Sequence, residues 1–227
     1  MRSIFEILRC GFFAALLWPA VLNAQQDSKS GFVRLANAVM EGTGQLTMEI
    51  DGTKVNEKGY KPGGVTGGIQ LSPGGHTVKF AREGTKEAST HVTIDANETT
   101  ILIPYAEMVP ARDDDPDHWE IRILRLKQRD PEEARSATFV SVSKQPEIKV
   151  EMRDPLGGWS SVFVKRLAVT RAPILYQRGY VPLKTADGDL VSIPVAAKGN
   201  YVVLLYDDNQ GHVRSLNFRD RKFLSAD

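Results

Sequence analysis

Four histidines, His76, His91, His118 and His212, set the scope for metal and acid–base chemistry in this 227-residue chain. His76 and His91 fall on segments that read as neighbouring strands. No pair has the close spacing of a zinc site, and the single cysteine, Cys10, lies far from all of them. A two-histidine site closed by a distant carboxylate is the form such chemistry would take. Asp113, Asp114, Asp115 and Asp117 offer carboxylates for calcium. An EF-type loop starting at Asp113 needs a glycine and a glutamate where this chain has His118 and Leu124, so the run reads as a solvated acidic loop. Asp207, Asp208 and Asn209 read as a turn, because their side chains bond nearby backbone and tolerate left-handed conformations.

The glycine-rich stretch Gly59 to Gly68 lacks the Lys and Ser/Thr that a phosphate-binding loop places at the start of a helix, and Pro62 marks it as a bent loop. Ser141-Val142-Ser143-Lys144 matches S-x-x-K formally. It lies at a strand end before Pro146, and the partner motifs of the penicillin-binding enzymes are missing. No G-x-S-x-G elbow occurs. The residues therefore point to a chain without a catalytic set, a metal or a cofactor.

Aromatic and cationic residues remain. Trp119, Trp159, Tyr176, Tyr180, Tyr201 and Tyr206 lie mostly in the second half, where Tyr201 and Tyr206 read as core fillers. Trp159 follows Gly157-Gly158 at a turn, a place that favours exposure. Arg153, Lys165, Arg166, Arg171 and Arg178 enrich its neighbourhood in positive charge. Aromatics of this kind stack on sugar rings or anchor protein partners. These six residues are the candidate contact set for an anionic exopolysaccharide or an acidic envelope protein.

The elements that must position them are short and alternating. Phe32-Val33-Arg34-Leu35-Ala36-Asn37-Ala38 and Leu46-Thr47-Met48-Glu49-Ile50 alternate cleanly, and Asp51-Gly52 after the second is a hairpin signal. Ser72-Pro73-Gly74-Gly75 predicts a turn before His76–Phe80. His91–Ile94 and Thr99–Tyr105 predict a further hairpin, and the acidic loop 111–117 predicts another with Trp119–Leu126 as its second arm. Asp130-Pro131 is able to open one helical turn. Strands about ten residues apart with Gly, Pro and Asn turns predict an antiparallel sandwich.

The second half repeats the style. Thr138–Val142 matches the opening strand, Glu147–Met152 matches Leu46–Ile50, and Ser192–Tyr206 is paired with Gly68–Phe80. The fold expected is all-β: two tandem antiparallel, immunoglobulin-like sandwich modules at 31–128 and 136–227. One larger sandwich is the alternative.

Arg2 and Arg9, the apolar run Gly11–Trp18 and the small residue Ala24 predict a signal peptide over residues 1–24, cleaved before Gln25. That run is too short to span a bilayer. Without residues 1–24 the basic count falls from 29 to 27 and the acidic count from 28 to 27, so the net charge is about zero. Neutrality with interspersed signs argues against a nucleic-acid partner. Cys10 falls within the signal, so the expected mature chain has no disulfide. The expected compartment is the periplasm or the outer cell surface, with no membrane span in the mature chain.

Phe32–Ala38, Ile50-Asp51-Gly52, Gly64-Val65-Thr66-Gly67-Gly68 and Leu71-Ser72-Pro73-Gly74-Gly75-His76-Thr77-Val78 resemble the recurring elements of a family of secreted bacterial β-sandwich domains of unknown function. The two-module layout is similar to the family of the alginate O-acetylation accessory protein F. That resemblance implies a non-catalytic component of a polysaccharide-modifying complex. The second module departs from the pattern, since Thr138–Ser143 lacks the Arg and Asn. Two other roles are open to this sequence: a glycan-active or metal-dependent enzyme whose residues converge only in three dimensions, and a self-assembling surface protein.

Overall fold

The computed structural model describes residues 30–112, 115–129 and 134–221, and every regular element among them is a strand. The expected signal peptide, the expected helical turn at Asp130–Glu133, and Asp113 with Asp114 lie outside the described residues. The first eight strands are β1 (Gly31–Leu35), β2 (Thr43–Ile50), β3 (Thr53–Lys54), β4 (Ile69–Leu71), β5 (Gly74–Glu83), β6 (Ala88–Ile94), β7 (Thr99–Val109) and β8 (His118–Lys127). The second eight are β9 (Arg135–Ser141), β10 (Glu147–Arg153), β11 (Trp159–Lys165), β12 (Val169–Pro173), β13 (Gly179–Thr185), β14 (Gly188–Val195), β15 (Gly199–Asp207) and β16 (Val213–Arg219).

Each set of eight forms two four-stranded sheets, ordered β4-β1-β7-β8 and β3-β2-β5-β6 in the first, β12-β9-β15-β16 and β11-β10-β13-β14 in the second. The second order is the first shifted by eight, so the fold is all-β with two modules of one topology. Two of the sequence correspondences hold, β9 with β1 and β10 with β2. The third is corrected: Ser192–Tyr206 lies on β14 and β15, whose places match β6 and β7, not β4 and β5.

Pairing is antiparallel except that β1 runs parallel to β7, and β9 parallel to β15. The hairpin expected of β6 and β7 does not form, because the chain crosses from one sheet to the other between them. The Asp51-Gly52 turn is as expected, with φ of 50° and 79° at its two residues. The hairpins of β7 with β8 and of β15 with β16 also form.

Three apolar layers stack between the four sheets. Val33, Leu35, Met48, Phe80 and Leu102 fill the first module, and Phe139, Val150, Leu183, Tyr201 and Val203 fill the second. A third layer joins the modules: Ala36, Ile101, Ile103 and Tyr105 from one pack against Val140, Val202, Leu204 and Phe218 from the other. Strands β1, β7, β9 and β15 therefore bury both faces, as doubly covered strands do. Tyr201 is a core residue as expected, and Tyr206 is half-buried at the shared layer.

The Arg and Asn of the opening strand have structural work. Asn37 is fully buried. Its amide donates to the carbonyls of Tyr60 at 3.2 Å and Lys61 at 3.0 Å, while its Oδ1 accepts from Val39 N–H at 3.0 Å. It pins the glycine-rich loop across the first module. Arg34 donates to the carbonyl of Thr66 and, across the module junction, to that of Arg219, both at 2.8 Å. Its guanidinium also lies 4.3 Å from the centre of the Phe218 ring. Ser141 holds the place of Asn37 in the second module: its carbonyl accepts from Leu167 N–H as that of Asn37 accepts from Gly63 N–H. A hydroxyl is too short to anchor a long loop.

Two outcomes follow. Leu204→Ala removes a fully buried side chain from the shared layer and is expected to cost about 2–5 kcal/mol. Calorimetry should show one transition for both modules, shifted as a whole; two separate transitions would contradict a shared layer. Asn37→Ala strands buried carbonyls and is expected to cost about 1–3 kcal/mol by urea titration.

Candidate functional site

The site grows from the turn between β10 and β11. Asp154 Oδ1 accepts from the N–H groups of Leu156 at 2.8 Å and Gly158 at 3.1 Å, and Gly157 adopts φ of 94°. This side-chain-to-backbone bonding closes the turn and launches Trp159, directly opposite Arg153. Even-numbered residues of β11 face the core, Val162 and Val164 among them. Odd-numbered ones, Trp159, Ser161, Phe163 and Lys165, face out.

Trp159 is 40% exposed and Phe163 55% exposed. The Lys184 ammonium lies 4.2 Å and the Arg153 guanidinium 5.9 Å from the centre of the Trp159 ring. Lys184 also pairs with Glu151 at 3.3 Å, and Lys149 pairs with Glu151 at 3.1 Å. Hydrogen bonds from Lys149 and then Lys184 hold the Glu151 carboxyl below its usual value. The indole face is thus partly covered by cations, which leaves its edge for contact.

Beneath the strand, between the two sheets of the module, opens a cleft of about 190 Å³. Ser160, Ser161 and Val162 form one wall, Ala172, Pro173, Leu175 and Tyr176 the other, and Arg153 lies at its rim. Tyr176 Oη donates to the carbonyl of Asp154 at 3.3 Å, tying that wall to the turn.

The six expected contact residues do not all converge. Trp159 and Arg153 stand together. Lys165 is on the same face of β11, at its far end, and Arg171 and Arg178 are exposed on β12 and just before β13. Among the described residues, Lys165, Arg171 and Arg178 form no ion pair. Arg166 belongs to the module junction: it donates to Glu107 at 2.7 Å and to the carbonyl of Ser143 at 3.0 Å. Lys184, Phe163 and Leu175 were missed in the sequence. The alternation Trp159-Ser-Ser-Val-Phe-Val-Lys165 carries a signal for Phe163, whereas Lys184 arrives only through the pairing of β10 with β13.

His76 and the acidic turns serve the scaffold. His76 donates from Nδ1 to Asp51 Oδ2 at 2.6 Å and from Nε2 to the carbonyl of Ser72 at 2.8 Å, so both ring nitrogens are engaged and the ring is held as the cation. The bond to Asp51, then that to Ser72, raises its pKa above the ordinary 6.5, and the same bond lowers that of Asp51. Asp117 accepts from Ala111 N–H, and Asp208 accepts from Gln210 and His212 N–H and pairs with Arg214. Among the described residues no three His, Cys, Asp or Glu side chains converge on a metal position, and no helix is long and apolar enough to cross a membrane.

This arrangement defines an all-β protein of two like sandwich modules, the second of which carries an open edge rimmed by cations. No family model and no curated protein matches the chain.

The His76–Asp51 bond has a pH signature. A raised histidine pKa adds stability that is complete below about pH 6.5 and is lost as pH rises through the folded value. The lowered Asp51 pKa adds stability above about pH 3.8 that is lost as pH falls through its folded value. His76→Gln is expected to lower the melting temperature by a few degrees at pH 5 and by less at pH 9; an equal loss at both would refute the charged ring.

Proposed function

We propose that this chain is an exported, non-catalytic binding or scaffold protein of the cell envelope whose second module holds an anionic partner at the β11–β12 edge. The observation that carries this reading is the apolar cleft with Arg153 at its rim beside Trp159, on a pair of strands that also carries the exposed Lys165 and Arg171. An apolar recess with an arginine at its rim suits a partner that combines apolar and acidic groups. Export is supported by Arg2, Arg9, the apolar run Gly11–Trp18 and the small residue before Gln25.

The more specific form of this role is an accessory subunit of exopolysaccharide O-acetylation. It is supported by the resemblance carried by Phe32–Ala38 and Gly64–Gly68 and by the two-module layout. Arg34, Asn37 and the loop they hold contribute shape and stability in this role, leaving recognition to the second module.

The test is affinity capture with the tagged mature protein from its native envelope, with bound proteins and glycans identified together. Recovery of an acyltransferase or a polysaccharide-export component is expected, weakened about tenfold or more by the pair Arg153→Glu and Lys165→Glu, with unfolding temperature unchanged. A clean monomer that captures nothing would overturn the reading.

A further inference from the structure

The two modules share a topology but finish the same edge differently. In the first, β3 and β4 are two and three residues long, and the chain between them folds over the edge. Leu46 and Tyr60 exchange backbone hydrogen bonds there, Thr66 N–H donates to the carbonyl of Leu35, and Asn37 clamps the loop. In the second, the matching strands β11 and β12 are seven and five residues long, joined by a short turn. The far side of that module is closed. Val191 N–H donates to Ser215 Oγ and Val213 N–H to Asp187 Oδ2, both at 3.1 Å, and the Asn217 amide donates to the carbonyl of Val191.

The β11–β12 edge is itself finished unevenly. Asp154 N–H donates to Gly158 O and Arg166 N–H to Pro146 O, which places the even-numbered residues of β11 in hydrogen-bonded pairs with β10. The backbone groups of Trp159, Ser161, Phe163 and Lys165 therefore point to the free side. Two of those carbonyls are taken: Thr170 Oγ1 donates to that of Phe163 at 3.1 Å, and Ala168 N–H to that of Lys165 at 3.2 Å. On β12, Ile174 N–H bonds Arg135 O, so Val169, Arg171 and Pro173 are the residues turned outward, and of these Pro173, nearest the cleft, has no N–H to offer. On β11 the Trp159–Ser161 stretch keeps both an N–H and a C=O free at each of its two outward residues, directly above the cleft.

We infer that this stretch receives an extended acidic polypeptide segment by strand addition, which extends the β11-β10-β13-β14 sheet by a fifth strand. This inference rests on the binding role proposed above. Exposed edges are ordinarily blunted because they template pairing, and on β11 the carbonyls of Phe163 and Lys165 are taken by the chain's own turn while this stretch keeps both its donors and its acceptors. A strand added to β11 turns alternate side chains to opposite faces. One set drops into the cleft lined by Val162, Ala172, Leu175 and Tyr176, so it is apolar. The other lies beside Trp159 and Ser161 on the outer face, with Arg153 and Lys165 at either end, so it is acidic. Main-chain bonds then give affinity and the alternating pattern gives selectivity. A glycan has no amide row to match these groups.

The probe is a soluble peptide of alternating glutamate and valine, titrated into the mature protein at low salt. Two N-methylated versions, one on the glutamate amides and one on the valine amides, accompany it. Saturable binding is expected, weakened about tenfold or more by methylation of one alternate set and hardly by the other. Ser161→Pro, which removes an outward N–H and leaves the ladder to β10 intact, should abolish it without lowering the unfolding temperature; Arg153→Glu with Lys165→Glu should weaken it about tenfold or more. Equal effects of the two methylation sets, or tighter binding of polyuronate oligomers that Ser161→Pro leaves unchanged, would overturn the inference. So would a concentration-dependent dimer lost in Ser161→Pro, which would assign the edge to a second copy. Envelope capture that succeeds equally with wild type and Ser161→Pro overturns strand addition alone; capture that fails with both overturns the binding role.

Discussion

The apolar layer between the two modules is the contact on which the rest of the molecule depends. It leaves β1, β7, β9 and β15 without a solvent face and makes the inner sheets of both sandwiches one buried wall. A polar group that enters such a wall loses hydration that only bonding within the protein compensates. Arg34 meets that demand with two carbonyls and the Phe218 ring. Asp220 meets it in part. Burial pushes its carboxyl up, against the opposing bonds from Arg129 N–H and the Asn200 amide. Asn200 in turn gathers the hydroxyls of Ser136 and Thr138. These groups fix which faces meet, a specificity that apolar contact alone does not supply.

With one of its two outer faces committed to the other module, each sandwich has its outer sheet and its edges left for other tasks. The first module spends its loop between β3 and β4 on closing an edge. The second shortens that loop and lengthens β11. The topology is shared, and the two copies diverge at this edge, where the second leaves hydrogen-bonding capacity on β11 open. Sandwich strands locate Trp159, Arg153 and the cleft rigidly, because the Asp154 turn and the β10–β11 ladder hold both walls.

Much of the secondary structure was legible in the residues. The alternation in Leu46–Ile50 is carried by the residues themselves, and the turns at Asp51-Gly52 and Asp207-Asp208-Asn209 depend on bonds a few residues apart; the structure has all three where expected. Alternation at Phe32–Ala38 marks the strand but not its burial on both faces: Arg34 is buried against the other module and Asn37 against the glycine loop. Alternation misled at the third repeat correspondence, since strand–turn–strand composition is the same for any pair of strands. The site was legible in part. Trp159 and Arg153 are neighbours through a local turn, whereas Arg166 was drawn away by Glu107, far off in the chain.

The sequence by itself determined the class of the protein: period-two alternation and turn chemistry are local, and they admit strands and exclude long helices. It also determined the cationic and aromatic stock of the second module. Only the tertiary structure decided which strands share a sheet, which faces are buried twice and which stretch of edge is left unpaired. Those are matters of long-range pairing and of burial against residues a hundred positions away, and no local pattern encodes them.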